Sequence, residues 1–107
     1  MSLNVWLNDD EEGCVWGANI THNVGKIARE AGFYECIWQA DTVGIEFAKG
    51  NITHLRSALG AFYSDYDKLA KLNPENGWGS IDGLIDFTKN YLDACIKHPN
   101  ARISIHR

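Results

Sequence analysis

Apolar and polar residues alternate at the start of the chain. Leu3, Val5 and Leu7 interleave with Ser2, Asn4 and Trp6, the period of a half-buried strand. Asn8 to Gly13 is a polar turn, and Cys14 to Ala18 is a second short strand, so residues 2–18 predict a β-hairpin. The period then changes. Asn19 or Thr21 can cap a helix whose apolar face is Ile20, Val24, Ile27, Ala28 and Ala31, with Gly32 placed to end it in a left-handed turn. Phe33 to Trp38 predicts a further helical turn or two, followed by a loop over Gln39 to Gly44.

From Ile45 the steps of three and four are regular: Ile45, Ala48, Ile52, Leu55, Leu59, Phe62, Tyr66 and Leu69 make one stripe. Gly50-Asn51 interrupts it, both poor helix residues, and Asn51 can start a fresh helix, so a kink or short break is predicted there. The aromatic side chains of Phe62, Tyr63 and Tyr66 point to packing against a sheet rather than to a lone coiled coil. Asn73 to Gly79 holds one Pro, two Asn and two Gly and is a loop. Ser80 caps a last helix with Ile81, Leu84, Ile85, Thr88, Tyr91, Leu92 and Cys95 on its buried face, ending near His98 before Pro99. Arg102, Ser104 and His106 alternate with Ile103 and Ile105 as a terminal strand.

The order β-β-α-α-α-β predicts one α+β domain over 1–107. Its sheet has three strands, antiparallel or mixed, the N-terminal hairpin joined by the C-terminal strand, with three to four helices packed on one face. Trp6 and Trp16 are expected together on the other face, as an exposed aromatic patch of the kind that marks partner surfaces.

Charge sharpens that expectation. The formal net charge is −4, and the four consecutive acids Asp9, Asp10, Glu11 and Glu12 at the hairpin tip account for all of it. With Trp6 and Trp16 they form the candidate protein-interaction surface. Lys26, Arg29, Arg56, Lys68 and Lys71 are scattered without a basic cluster, which argues against direct nucleic-acid binding. There is no apolar run of roughly 18 residues and no basic-then-apolar leader pattern, so a cytoplasmic protein without membrane contact is expected. On that expectation the Asn-Ile-Thr sequons at 19–21 and 51–53 are silent. Asn-Ile-Thr-His itself occurs twice, at 19–22 and 51–54, without further repetition around it.

Catalytic chemistry finds little support. His22, His54, His98 and His106 lack metal-ligand spacing, and Cys14, Cys36 and Cys95 form no C-x-x-C pair, so no metal and no cofactor is expected. Cys36 lies among apolar neighbours beside Glu35, the setting of a core thiol. The better candidate is a polar ligand site. Thr21-His22-Asn23 opens one helix, and Asn76-Gly77-Trp78-Gly79-Ser80 opens another. Each offers backbone N–H groups and carboxamides, with Tyr34, Glu35 and Trp38 as a wall. In that reading His22 is the acid–base candidate and Glu35 orients it. The contrary reading has Trp78 plugging the core. Everything in the ligand reading depends on the two openings converging on one cleft.

Several segments together resemble a family of small proteins of bacteria, prophages and phages. They are Leu3 to Leu7, Ala18-Asn19-Ile20-Thr21-His22-Asn23-Val24-Gly25, Glu30 to Glu35 with Trp38, Leu72-Asn73-Pro74-Glu75-Asn76-Gly77-Trp78-Gly79, and Tyr91 to Cys95 with Pro99, Ala101 and Arg107. The family carries no established activity. The resemblance implies a compact intracellular domain, often phage-borne, and small phage-borne proteins frequently bind a host or phage protein. Small size, acidic charge, the tryptophan candidates and the lack of a catalytic constellation point to a non-enzymatic protein-interaction module. Self-association through the long helix or a sheet edge is a further expectation.

Overall fold

The computed structural model describes residues 1–107. Three strands form one sheet: β1 (Ser2–Asp9), β2 (Gly13–Thr21) and β3 (Arg102–His106), in the order β2-β1-β3, with both pairings antiparallel. Five helices complete the α+β fold: α1 (Gly25–Ala31), α2 (Tyr34–Trp38), α3 (Ile52–Ser64), α4 (Tyr66–Ala70) and α5 (Ile81–Lys97). The first hairpin and the closing strand are where the alternation of Leu3, Val5, Leu7, Ile103 and Ile105 puts them. Leu3, Val5 and Leu7 are fully buried on the inner face.

β2 runs three residues beyond its predicted end. Ser2 pairs with Thr21 and Leu3 with Ile20, so Ile20 belongs to the sheet and not to the following helix. The shift changes the aromatic map. Leu7 lies opposite Trp16, and a bulge between Leu7 and Asn8 takes up one extra residue of β2. Trp16 therefore shares the inner face with Leu7. It stacks on Tyr91 at 5.4 Å between ring centroids and tilts against Phe87 at 6.4 Å. Trp6 stays on the outer face, its ring over Gly17 and edge-on to His106 at 4.9 Å. The expected pair of outward tryptophans is thus corrected to one, because adjacent positions in a pleated strand face opposite ways.

α5 lies between the sheet and α3. Ser80 caps it, its Oγ accepting from the Gly83 N–H at 3.2 Å. One side of α5 meets the sheet through Phe87 and Tyr91, and α3 packs along it. Phe62 is fully buried, but Tyr63 is 60% exposed and the stripe faces α5, not the sheet. The stripe breaks twice. A 3-10 turn over Ala48–Asn51 precedes α3, at the Gly50-Asn51 interruption, and α3 gives way to α4 at Asp65.

Asn51 does not cap α3 with its side chain. It is fully buried instead, and its Nδ2 donates to the Cys36 carbonyl at 2.9 Å and to the Tyr91 hydroxyl at 3.2 Å. Its Oδ1 has no partner. One carboxamide therefore ties α2, the start of α3 and α5 together. Gly32 ends α1 at φ +85°, accepting the left-handed turn a side chain would resist.

Candidate functional site

The two polar openings meet. Thr21 caps the 3-10 turn His22–Val24, its Oγ1 accepting from the Asn23 N–H at 3.2 Å. That leaves the Asn23 carboxamide free to reach the second opening, where its Nδ2 donates to the Trp78 carbonyl at 3.3 Å. Gly79 seals the contact. Its φ is +104°, and a Cβ there would lie 2.7 Å from Thr21 Cγ2 and 2.8 Å from Val24 Cγ1. Only glycine allows the backbone so near.

The loop that carries Trp78 is held by its own asparagines. Asn76 Oδ1 accepts from the Trp78 N–H, and Asn73 Oδ1 from the Ile81 N–H, each at 2.9 Å. The ring so positioned is 71% exposed, which corrects the reading of Trp78 as a core plug. An open hollow of about 470 Å³ lies against it, lined also by Asn19, Thr21, Asn23 and Asn76. A second hollow shares Asn23 and Asn76 and is edged by Lys26, Lys71 and Glu75. Asn19, Lys26, Lys71 and the loop-locking Asn73 were not singled out from sequence as part of this place. Asn73 carried no local signal, since its bond to the Ile81 N–H spans eight positions, beyond the reach of an Asx turn.

The remaining predicted ligand residues lie elsewhere. His22 Nδ1 accepts from Trp38 Nε1–H at 3.0 Å, and Trp38 stacks on Tyr34 at 5.3 Å with the planes 7° apart. Arg29 covers the far side of Tyr34 at 4.0 Å. His22, Tyr34 and Trp38 thus form a packed aromatic group over Gly25, and none of them lines the hollow by Trp78. Glu35 is exposed and borders a different hollow of about 270 Å³, with Cys36, Val43, Ile45 and His54. The expected pairing of His22 with Glu35 is not made, because the short α2 turns Glu35 away while Trp38 takes the imidazole.

At the hairpin tip, Asp9 Oδ1 accepts from the backbone N–H groups of Glu11 at 2.8 Å and Glu12 at 3.1 Å. These bonds hold the Asp9 carboxyl below the usual carboxylate range. Asp9 thereby shapes the turn, and Asp10, Glu11 and Glu12 project into solvent.

Two of the three thiols are held protonated by burial. Burial pushes the Cys36 thiol up to about 12, with the Glu35 charge adding to it, and burial likewise pushes Cys95 up to about 12. Cys14 is exposed. Native protein treated with iodoacetamide near neutral pH is therefore expected to take one label, on Cys14, and three after unfolding. Mass spectrometry counts them, and rapid native labelling of Cys36 would contradict the assignment of a core thiol. No group of three or more His, Cys, Asp and Glu side chains is placed to hold a metal ion. No helix is long and apolar enough to cross a membrane.

No protein-family model matches this chain, and comparison with curated proteins and with solved structures found no match.

Proposed function

We propose that the chain is a non-enzymatic binding module that engages another protein through the surface centred on Trp78. The observation that carries this reading is a tryptophan 71% exposed on a loop fixed by side-chain-to-backbone bonds. A large ring left in water is unfavourable by itself. With its backbone held in place, the residue loses little main-chain freedom on binding, and exposed aromatic anchors dominate the energetics of protein interfaces. The carboxamides of Asn19, Asn23 and Asn76 around it supply a neutral polar rim. The partner class proposed, a host or phage protein, follows from the resemblance read in the sequence alone. Trp6 and the acids at 9–12 lie on the outer face and tip of the sheet and are secondary in this reading.

A second reading has a specific basis: the hollow itself, lined by carboxamides and hydroxyls and walled by Trp78, suits a small hydroxyl-rich molecule.

Affinity capture from a bacterial lysate separates these readings. Wild type and Trp78→Ala are immobilised side by side, and the retained proteins are identified. The variant removes only exposed surface, so its fold should persist. Loss of a wild-type partner by about thirtyfold or more in affinity supports the interface. An identical set of retained proteins on both resins removes it. Chemical-shift changes confined to Asn19, Asn23 and Asn76 on adding neutral saccharides would favour the hollow.

A further inference from the structure

The sheet has two edges, and the chain treats them differently. The outer edge of β3 is closed by the segment before α3. The Ile103 N–H donates to the Glu46 carbonyl at 2.9 Å, Phe47 bridges to Arg102, and the Ala48 N–H donates to the Ala101 carbonyl at 2.8 Å. An Arg102–Glu46 ion pair lies over the same contact. The outer edge of β2 has none of this. β2 is the terminal strand, and no backbone bond outside the regular elements reaches residues 13–21. Its nine residues, Gly-Cys-Val-Trp-Gly-Ala-Asn-Ile-Thr, contain no charge and no proline. Edges that stay single are protected by charged residues, by proline or by cover. Its one protective feature is the bulge near its start.

We propose that this edge pairs with the same edge of a second copy of the chain, antiparallel about a two-fold axis near Gly17, to give one continuous six-stranded sheet. The charges select both the occupant and the direction. One end of β2 adjoins the acids Asp10, Glu11 and Glu12, all exposed. The other end runs into Asn23, whose hollow is edged by Lys26, Lys71 and Glu75, one net positive charge. Antiparallel pairing sets the acid tip of each copy against the two lysines of the other. Parallel pairing would bring the acid tips together. The inner faces also continue, since pairing about Gly17 brings Trp16 of one copy beside Ala18 of the other. The edge adjoins the Trp78 hollow at Asn19 and Thr21, but the pairing does not rest on a role for Trp78.

Sedimentation equilibrium of the full chain from about 10 μM to about 1 mM tests the proposal. The expected result is a mass rising toward two chains, with weaker association at high salt. Asn19→Lys, at an exposed position of the edge, should weaken it about tenfold or more. Glu11→Lys with Glu12→Lys should weaken it about tenfold, and adding Lys26→Glu and Lys71→Glu should restore it. A nitroxide on the exposed Cys14 reads the register, with a spin–spin distance on the order of 20 Å between copies. A one-chain mass at every concentration overturns the proposal. So does a dimer indifferent to both Asn19→Lys and the charge exchange, which would place the contact elsewhere. Trp78→Ala should leave the association unchanged, so failure here and failure of the binding reading are separate results.

Discussion

Tyr91→Ala is expected to lower the unfolding free energy by about 3–5 kcal/mol, the range for removing a large buried ring. Tyr91 is fully buried on α5. It stacks on Trp16 of β2, meets Phe87 edge-on at 6.0 Å, and its hydroxyl accepts from Asn51 Nδ2. Burial pushes its phenol well above the ordinary range, so it stays protonated and neutral. The truncation opens a void, frees Trp16 and costs Asn51 one of its two bonds, with Oδ1 already unpartnered. A domain of this size holds about 5–15 kcal/mol in total, so the variant should lose from about a fifth of it to nearly all of it. Urea denaturation followed by tryptophan fluorescence measures it. Tyr91→Phe is the informative companion. It keeps the ring contacts and loses only the hydroxyl, so about 1–2 kcal/mol should be lost. An alanine variant within about 1 kcal/mol of wild type would mean that Trp16 is not held against α5.

Gly79→Ala is the second large effect, about 2–4 kcal/mol from backbone strain together with overpacking. Its Cβ would collide with Thr21 and with the fully buried Val24, which has no room to retreat. Gly77→Ala is the matched control. Gly77 also has a positive φ, +75°, but a Cβ there meets nothing within 4 Å. Strain alone should then cost about 1 kcal/mol. The difference between the two variants isolates the close approach that joins the openings. Gly79→Ala should also move the Asn23 side-chain amide resonance, because the Asn23–Trp78 bond spans the same contact. Equal costs at the two glycines would show that this approach does not constrain the fold.

Both experiments act on features with unequal visibility in the chain. The stop at Gly32, the cap at Ser80 and the interruption at Gly50-Asn51 were all legible, since each acts on backbone within one helical turn. The same local rule misled at Asn51. An asparagine before a helix reads as a cap, yet this one turns inward to serve Cys36 and Tyr91, 15 and 40 residues away. The candidate site divides in the same manner. That Thr21-His22-Asn23 and Asn76 to Ser80 are polar openings could be read directly. That His22 would be taken by Trp38, and that Glu35 would lie beside His54, could not.

Periodicity and capping by themselves determined the kinds of elements, their order and the inward set Leu3, Val5 and Leu7. These depend on neighbours no more than a few residues apart. Tertiary structure decided which way Trp16 and Trp78 point, where β2 ends and which groups converge. One extra residue in β2 sets the side of the sheet on which Trp16 falls, and that register exists only once β1 is paired. Trp78 faces solvent because the bonds that fix its loop come from Asn23, 55 positions earlier, as well as from Asn76 nearby. Such contacts form between segments that share no local signal, so only the folded chain can bring them together.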